Sequence, residues 1–182
     1  MIDNLIEPQW LIKDCLDCPE KSREWLLHQG SFMERLKQHG IQHSEIIVLK
    51  HTWEHPLPSE QKILTIKTHE EALVREVLIK SAVGNWMFAR TIFPKETLTE
   101  TERQFIHLEN NSLGSILFNY PDLQRSEFEM ACLQQHDTWH QKIAQLVAIQ
   151  DKKLWARRSV FTIRNKAILL SEVFLPDVFL LG

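Results

Sequence analysis

Two hairpins dominate the hydrophobic pattern of the chain. Residues Leu73–Lys80 alternate, the segment 81–85 supplies a turn, and Trp86–Phe93 returns as a second strand before Pro94. A second hairpin joins Ser159–Ile163 to Ala167–Leu175. The last strand is apolar on both faces, which predicts a position inside the sheet.

Shorter patterns complete the predicted elements. Ile46–Leu49 and Leu64–Thr68 indicate further strands, while Glu127–Leu133 is ambiguous. Ser31 and Glu34 have the spacing of a helical capping box, and Gly40 ends that helix. Helical signals return over 97–118 and over Trp139–Gln150. We therefore predict a single α+β domain over 1–182, with a mostly antiparallel sheet of about six strands and helices to one side.

Composition narrows the possible functions. A net charge of −3 over 182 residues argues against nucleic-acid binding, which needs a clearly basic surface. No apolar run approaches the roughly 20 residues of a membrane-spanning helix, and the N-terminus lacks a secretory signal, so we expect no membrane insertion. Three cysteines fit a reducing cytoplasm better than a disulfide framework.

Three charges interrupt the apolar faces of the predicted strands. Arg75 shares a face with Leu73, Val77 and Ile79; Arg90 lies in line with Trp86, Phe88 and Ile92; Glu172 lies in line with Ile168, Leu170 and Phe174. One interpretation is a buried structural ion pair. The other is an anion pocket in which two arginines exceed one glutamate.

Two predicted helix starts bear on the second interpretation. Ser31-Phe32 and Ser112-Leu113-Gly114 both precede helical runs, and free backbone N–H groups at such positions attract anions. Every helix has an N-terminus, so this signal is weak by itself.

Two metal-like motifs are set aside. His51-x-x-Glu54-His55 follows a β-branched run, and in an extended chain its imidazoles would lie about 13 Å apart, too far for one zinc ion. Cys15-x-x-Cys18 lacks a second cysteine pair. We predict no metal and no cofactor.

Four sequence blocks, in order, resemble the chorismate pyruvate-lyase family. They are Val74–Leu78 with Trp86–Pro94, Ser112–Gly114 with Leu117-Phe118, Leu154–Ser159, and Leu169–Pro176. The resemblance extends over nearly the whole chain. It implies an α+β domain with helical flaps over an internal pocket, and a cytoplasmic enzyme that converts chorismate to 4-hydroxybenzoate and pyruvate for ubiquinone synthesis.

The resemblance also assigns residues. In the family a strand arginine, matched by Arg75, pairs with the ring carboxylate, assisted by backbone N–H groups that match Phe32 and Leu113. Glu172 matches the glutamate that holds the ring hydroxyl, and Arg90 is the expected partner of the enolpyruvyl carboxylate. We expect a monomer whose partners are the substrate chorismate and the product 4-hydroxybenzoate.

This chain departs from the family pattern in three places. Phe32 replaces a familiar Met, Ala89 replaces a familiar Gly, and the segment 118–154 is longer, by an added helix around Trp139–Gln150. The alternative function is a non-catalytic domain that senses aromatic acids, because a related fold serves transcription regulators. The basic recognition helix of such a regulator is missing here.

Overall fold

The two hairpins predicted from the alternation lie side by side at the centre of one antiparallel sheet. The computed structural model describes residues 6–12, 18–150 and 153–181. The strands are β1 Leu11–Ile12, β2 Glu45–Glu54, β3 Ala72–Ser81, β4 Gly84–Pro94, β5 Gln124–Arg125, β6 Glu129–Gln134, β7 Lys153–Ile163 and β8 Lys166–Phe174. Their order is β1-β6-β7-β8-β4-β3-β2, with β5 also paired to β7. The last long strand is therefore internal, as its apolar composition predicts.

In the parts of the chain that the structure describes, five short α-helices and two 3₁₀ helices surround the sheet. The α-helices are α1 Glu20–Leu26, α2 Phe32–Gln38, α3 Pro58–Leu64, α4 Leu113–Leu117 and α5 Thr138–Leu146; the 3₁₀ helices are Glu100–His107 and Pro176–Leu180. The predicted N-cap of α2 is confirmed, because Oγ of Ser31 accepts a hydrogen bond from the backbone N–H of Glu34 at 3.4 Å. Gly40, with φ 87°, follows the last turn of α2 in the left-handed conformation that glycine tolerates.

Helices cover both faces of the sheet, so the prediction that they lie to one side is wrong. On one face, α1 and α2 pack through Trp25, Leu26 and Phe32 on Val77 and Met87, and α4 packs over the far end of the same face. On the opposite face, α5 packs on the side chains of β3, β4 and β7, while α3 packs beside Val74 and Ile92. The helix α5, which lies in the segment 118–154, thus closes the second face.

The strand predicted over Leu64–Thr68 is also wrong. Pro58 begins α3, and Glu60 accepts a hydrogen bond at 2.8 Å from the backbone N–H of Leu57. Leu64 ends that helix, and Thr65 then takes a left-handed conformation with φ 57°. A proline at the first helical position and a glutamate in the first turn stabilise the helix more than the short alternation stabilises a strand.

Candidate active site

A cavity lies between the sheet and the N-terminal ends of α2 and α4. Its volume is about 70 Å³ as traced by the centre of a water molecule. The floor comes from β3, β4, β7 and β8, and the cover from Gly30–Met33 and Ser112–Gly114. The lining is apolar apart from a few groups, of which the charged ones are Arg75, Arg125, Arg157 and Glu172. An apolar cavity with a few converging polar groups is typical of a small-molecule site.

Arg75 is the cation at one end of this cavity. Its side chain is buried, and Nη2 donates to the backbone oxygens of Glu109 at 2.9 Å and Asn111 at 3.0 Å, just before α4. Its Nε has no hydrogen-bond partner, and no carboxylate among the described residues forms an ion pair with it. Burial lowers the pKa of Arg75 to about 10. A buried guanidinium without a counter-ion is costly, which makes it a receptor for an anion.

Glu172 is the carboxylate on the same face of the sheet. Its Oε2 accepts from Nε of Arg157 at 2.6 Å and from Nη2 of Arg125 at 3.4 Å. Burial alone raises the pKa of Glu172, but Arg157 and then Arg125 outweigh burial and hold the pKa below its usual value. Glu172 is therefore an ionised hydrogen-bond acceptor with weak basicity.

The strand register sets the distance between the two ends. Arg75 pairs with Thr91, Thr91 pairs with Leu170, and Glu172 lies two residues further along the same strand. With strands about 4.8 Å apart and about 3.3 Å per residue, the α-carbons of Arg75 and Glu172 are about 12 Å apart. Side chains that rise side by side from the sheet keep their polar ends about as far apart, which leaves room for one flat ring with a hydrogen bond at each end.

The predicted helix starts lie at the cavity. Phe32 is the first residue of α2 and Leu113 the first of α4, and both line the cavity. The backbone N–H of the first helical residue has no partner within its own helix, so both amides are available to an acceptor. Ser112 makes no side-chain cap to α4.

The structure does not bring Arg90 to the cavity, and its expected role at the enolpyruvyl group is corrected. Arg90 pairs with Glu76 across β3 and β4 and points to the opposite face of the sheet. There its Nε and Nη2 contact Glu60 at 2.7 and 3.0 Å, and its Nη1 contacts Glu76 at 2.9 Å and Glu54 at 3.3 Å. Although burial opposes it, Glu60 and Glu76 raise the pKa of Arg90, so this arginine is part of a structural ion cluster. Lys142 of α5 also binds Glu76 there.

Comparison of the whole sequence with known protein families shows the family of this chain. The model described as chorismate lyase matches residues 5–180. The chain belongs to the chorismate lyase family. Its relatives include a chorismate pyruvate-lyase of Hamiltonella defensa, 34% identical over 162 residues, with 88% of this chain and 81% of the relative covered. A probable chorismate pyruvate-lyase of Nitrosomonas eutropha is 31% identical and is covered over 91% of its length, against 90% of this chain.

Solved structures show that the lyase fold is shared with regulator domains. The effector domain of PhnF from Mycobacterium smegmatis superposes with a TM-score of 0.57 at 14% identity, over 83% of this chain and 91% of that domain. A GntR-family transcriptional regulator from Bacillus cereus gives a TM-score of 0.52 at 14% identity, over 74% of this chain and 92% of the regulator. At such identities the likeness concerns the fold alone.

Of the two metal-like motifs, the structure describes the histidine segment and one of the two cysteines. His51 and Glu54 lie in β2, so the segment is extended as predicted. Within the described ranges, no group of three or more His, Cys, Asp or Glu side chains is placed to hold a metal ion. Cys18 is buried and Cys15 lies outside the described residues.

No helix in the described parts of the chain is long and apolar enough to span a bilayer.

Two arginines of the site are missed by sequence reasoning. Neither Arg157 nor Arg125 is among the candidate residues of the sequence analysis. In the structure, Arg157 is 1% exposed and its Nη1 donates to the backbone oxygens of Leu26 at 2.9 Å and His28 at 2.6 Å. The available signal was Glu172 itself, because a carboxylate on an inner strand needs cations on the neighbouring strands.

Proposed function

We propose that this protein cleaves chorismate to 4-hydroxybenzoate and pyruvate, which makes it a carbon–oxygen lyase that supplies ubiquinone synthesis. The observation that carries the proposal is the buried Arg75, which lacks a carboxylate partner among the described residues and shares one cavity with the ionised Glu172. Chorismate carries a ring carboxylate and, on the opposite side of the ring, a hydroxyl. The cavity offers a cation for the first and an acceptor for the second.

Binding begins at the ring carboxylate. Nη2 of Arg75 is held by the segment before α4, which leaves the remaining guanidinium N–H groups for the ligand. The amides of Phe32 and Leu113 add two neutral donors from the cover of the cavity. Charge-assisted hydrogen bonds of this kind are about twice as strong as neutral ones, so the carboxylate fixes the position of the ring.

At the other end Glu172 acts as an anchor. Both arginine contacts go to Oε2, so Oε1 accepts the ring hydroxyl. The lowered pKa of Glu172 keeps the carboxylate ionised and makes it a poor proton acceptor. The glutamate therefore orients the ring carbon that bears the hydroxyl, from which a proton must leave.

The reaction is an elimination that needs no oxidant or reductant. The bond between the ring carbon and the ether oxygen breaks, a proton leaves the neighbouring hydroxyl-bearing carbon, and the enolpyruvate takes up a proton at its methylene carbon to give pyruvate. The ring becomes aromatic, which drives the step. The protein contributes orientation, exclusion of water and stabilisation of the charge that develops on the ether oxygen.

The test is incubation of the purified protein with chorismate. Pyruvate is followed through lactate dehydrogenase and 4-hydroxybenzoate by chromatography; the expected result is equal amounts of both products. Arg75→Met is the matched inactive control. Binding of 4-hydroxybenzoate without release of pyruvate would favour the sensing domain, and the absence of both binding and turnover would refute the proposal.

A further inference from the structure

The charges of the cavity do not balance at the end occupied by Glu172. Two arginines, Arg125 and Arg157, face this one carboxylate. Arg157 makes the short contact at 2.6 Å and is otherwise occupied by the backbone oxygens at the end of α1. Arg125 contacts Glu172 only through a longer hydrogen bond of 3.4 Å. One positive charge therefore lacks a matched partner beside Glu172.

Arg125 is nevertheless held firmly in place. Its Nε donates to Oγ of Ser159 at 2.9 Å and its Nη1 to the backbone oxygen of Gln29 at 3.0 Å. The guanidinium lies over the rings of Phe128 at 4.3 Å and Phe161 at 4.6 Å. Burial lowers the pKa of Arg125 to about 10, partly opposed by Glu172 and aided by Arg157. A fixed and incompletely neutralised cation that lines a cavity is suited to an anionic ligand.

The chemistry of the substrate places a second anion at this end. In chorismate the enolpyruvyl ether is attached to the ring carbon next to the one that bears the hydroxyl. A hydroxyl held by Glu172 therefore brings the enolpyruvyl carboxylate into the surroundings of Glu172. We propose that Arg125 binds this second carboxylate and stabilises the departing enolpyruvate, an assignment that rests on the proposed lyase function.

Arg125 takes the role at the enolpyruvyl carboxylate that the resemblance assigns to Arg90. Arg90 faces the opposite side of the sheet and is neutralised by Glu60 and Glu76. Arg75 is engaged at the other end of the ring. Arg125 is therefore the cavity arginine whose loss should distinguish the substrate, which has two carboxylates, from the product, which has one.

The test compares substrate and product in the same variants. Arg125→Gln should lower kcat/KM for chorismate about 10- to 100-fold, as expected for a lost hydrogen bond between charged groups, and should leave the Kd of 4-hydroxybenzoate near the wild-type value. Arg125→Lys, which keeps the charge, should recover part of the loss. Arg103→Gln removes an exposed arginine outside the cavity and should change neither constant.

The outcomes separate the two proposals. Wild-type protein that releases no pyruvate would overturn the lyase function and the role of Arg125 together. Wild-type turnover combined with equal losses for chorismate and 4-hydroxybenzoate would overturn only the role of Arg125 and would leave it as a positioning residue for Glu172. If Arg125→Gln does not fold, as judged by its melting curve, Arg125→Lys carries the comparison, since it should weaken chorismate more than 4-hydroxybenzoate.

Discussion

Arg75 and Arg90 offer a matched pair of substitutions that separates a binding residue from a structural one. The two side chains lie on neighbouring strands and are 2% and 4% exposed. Arg75 has no carboxylate partner among the described residues, whereas Arg90 contacts Glu54, Glu60 and Glu76. Replacing each by methionine removes a similar volume and the same charge.

The expected energies differ because the surroundings differ. The drop in the pKa of Arg75 from 12.5 to about 10 corresponds to a burial cost of about 3 kcal/mol. Arg75→Met relieves this cost and loses two hydrogen bonds from a charged group, about 1.5 kcal/mol each, so the two effects nearly cancel. Arg90→Met leaves buried carboxylates without their cation, which costs about 3–5 kcal/mol. At about 2–4 °C per kcal/mol, the melting temperature of Arg90→Met should fall by about 6–20 °C, and that of Arg75→Met by less than about 4 °C.

The affinity for 4-hydroxybenzoate should fall more in Arg75→Met than in Arg90→Met, the reverse of their order in stability loss. Arg75→Met loses about 3–4 kcal/mol with the ring carboxylate, which raises the Kd of 4-hydroxybenzoate by about 10²- to 10³-fold. Arg90→Met should keep the wild-type Kd at temperatures where it is folded. Scanning calorimetry gives the melting temperatures and titration calorimetry the Kd. Equal destabilisation by the two substitutions, or a loss of affinity confined to Arg90→Met, would refute the reasoning.

Three further predictions concern the remaining groups. Glu172→Gln should weaken the binding of 4-hydroxybenzoate about 10-fold, and it should lower the melting temperature because Arg157 loses its counter-charge. Binding titrations on a variant with unchanged secondary structure would show this. An unchanged Kd would contradict the role of Glu172 as an anchor. The pKa values of Glu172 and Glu76 are lower in the folded protein than the value of 4.5 in the unfolded chain, so both carboxylates stabilise the fold above pH 4.5 and lose this effect as the pH falls through the folded pKa values. The urea midpoint of unfolding should therefore drop only below about pH 4.5. A midpoint independent of pH would be contrary evidence. His51→Ala and prolonged dialysis against EDTA should leave turnover unchanged, because β2 is extended at His51; activity lost and then restored by zinc would show that a metal is needed.

The burial of Arg75 and Glu172 follows from the sequence, for a different reason in each strand. Arg75 is flanked at two-residue spacing by Leu73 and Val77, which pack towards the side of the cavity. Once β8 is placed inside the sheet, Glu172 must be buried as well, and burial forces it to find a cation.

The facing of Arg90 does not follow from alternation, because β4 is apolar on both sides. The chain also breaks its alternation at the start of β4: Lys80 pairs with Asn85 and Ile79 with Met87, which leaves Trp86 between them. Trp86 and Met87 therefore pack in the same cluster, and Trp86 does not mark the face of Arg90. A turn centred on residue 83 does place Glu76 opposite Arg90, so the symmetry of the hairpin predicts the face of Arg90 better than alternation does.

Contacts between distant segments remain beyond sequence reasoning. Arg157 binds the end of α1, more than a hundred residues away, and Arg125 reaches Gln29. Such pairs depend on how the helices lie over the sheet. Helix placement is decided by packing, and local propensity does not specify it.

The opposite facing of Glu76 and Arg75, neighbours on one strand, means that the number of residues in β3 and β4 is itself under functional constraint. A deletion or insertion of one residue within β4 would rotate every later side chain to the other side of the sheet. Arg90 would then enter the cavity, and its glutamates would be left buried without it. Length variation within this family should therefore gather in the connections between strands.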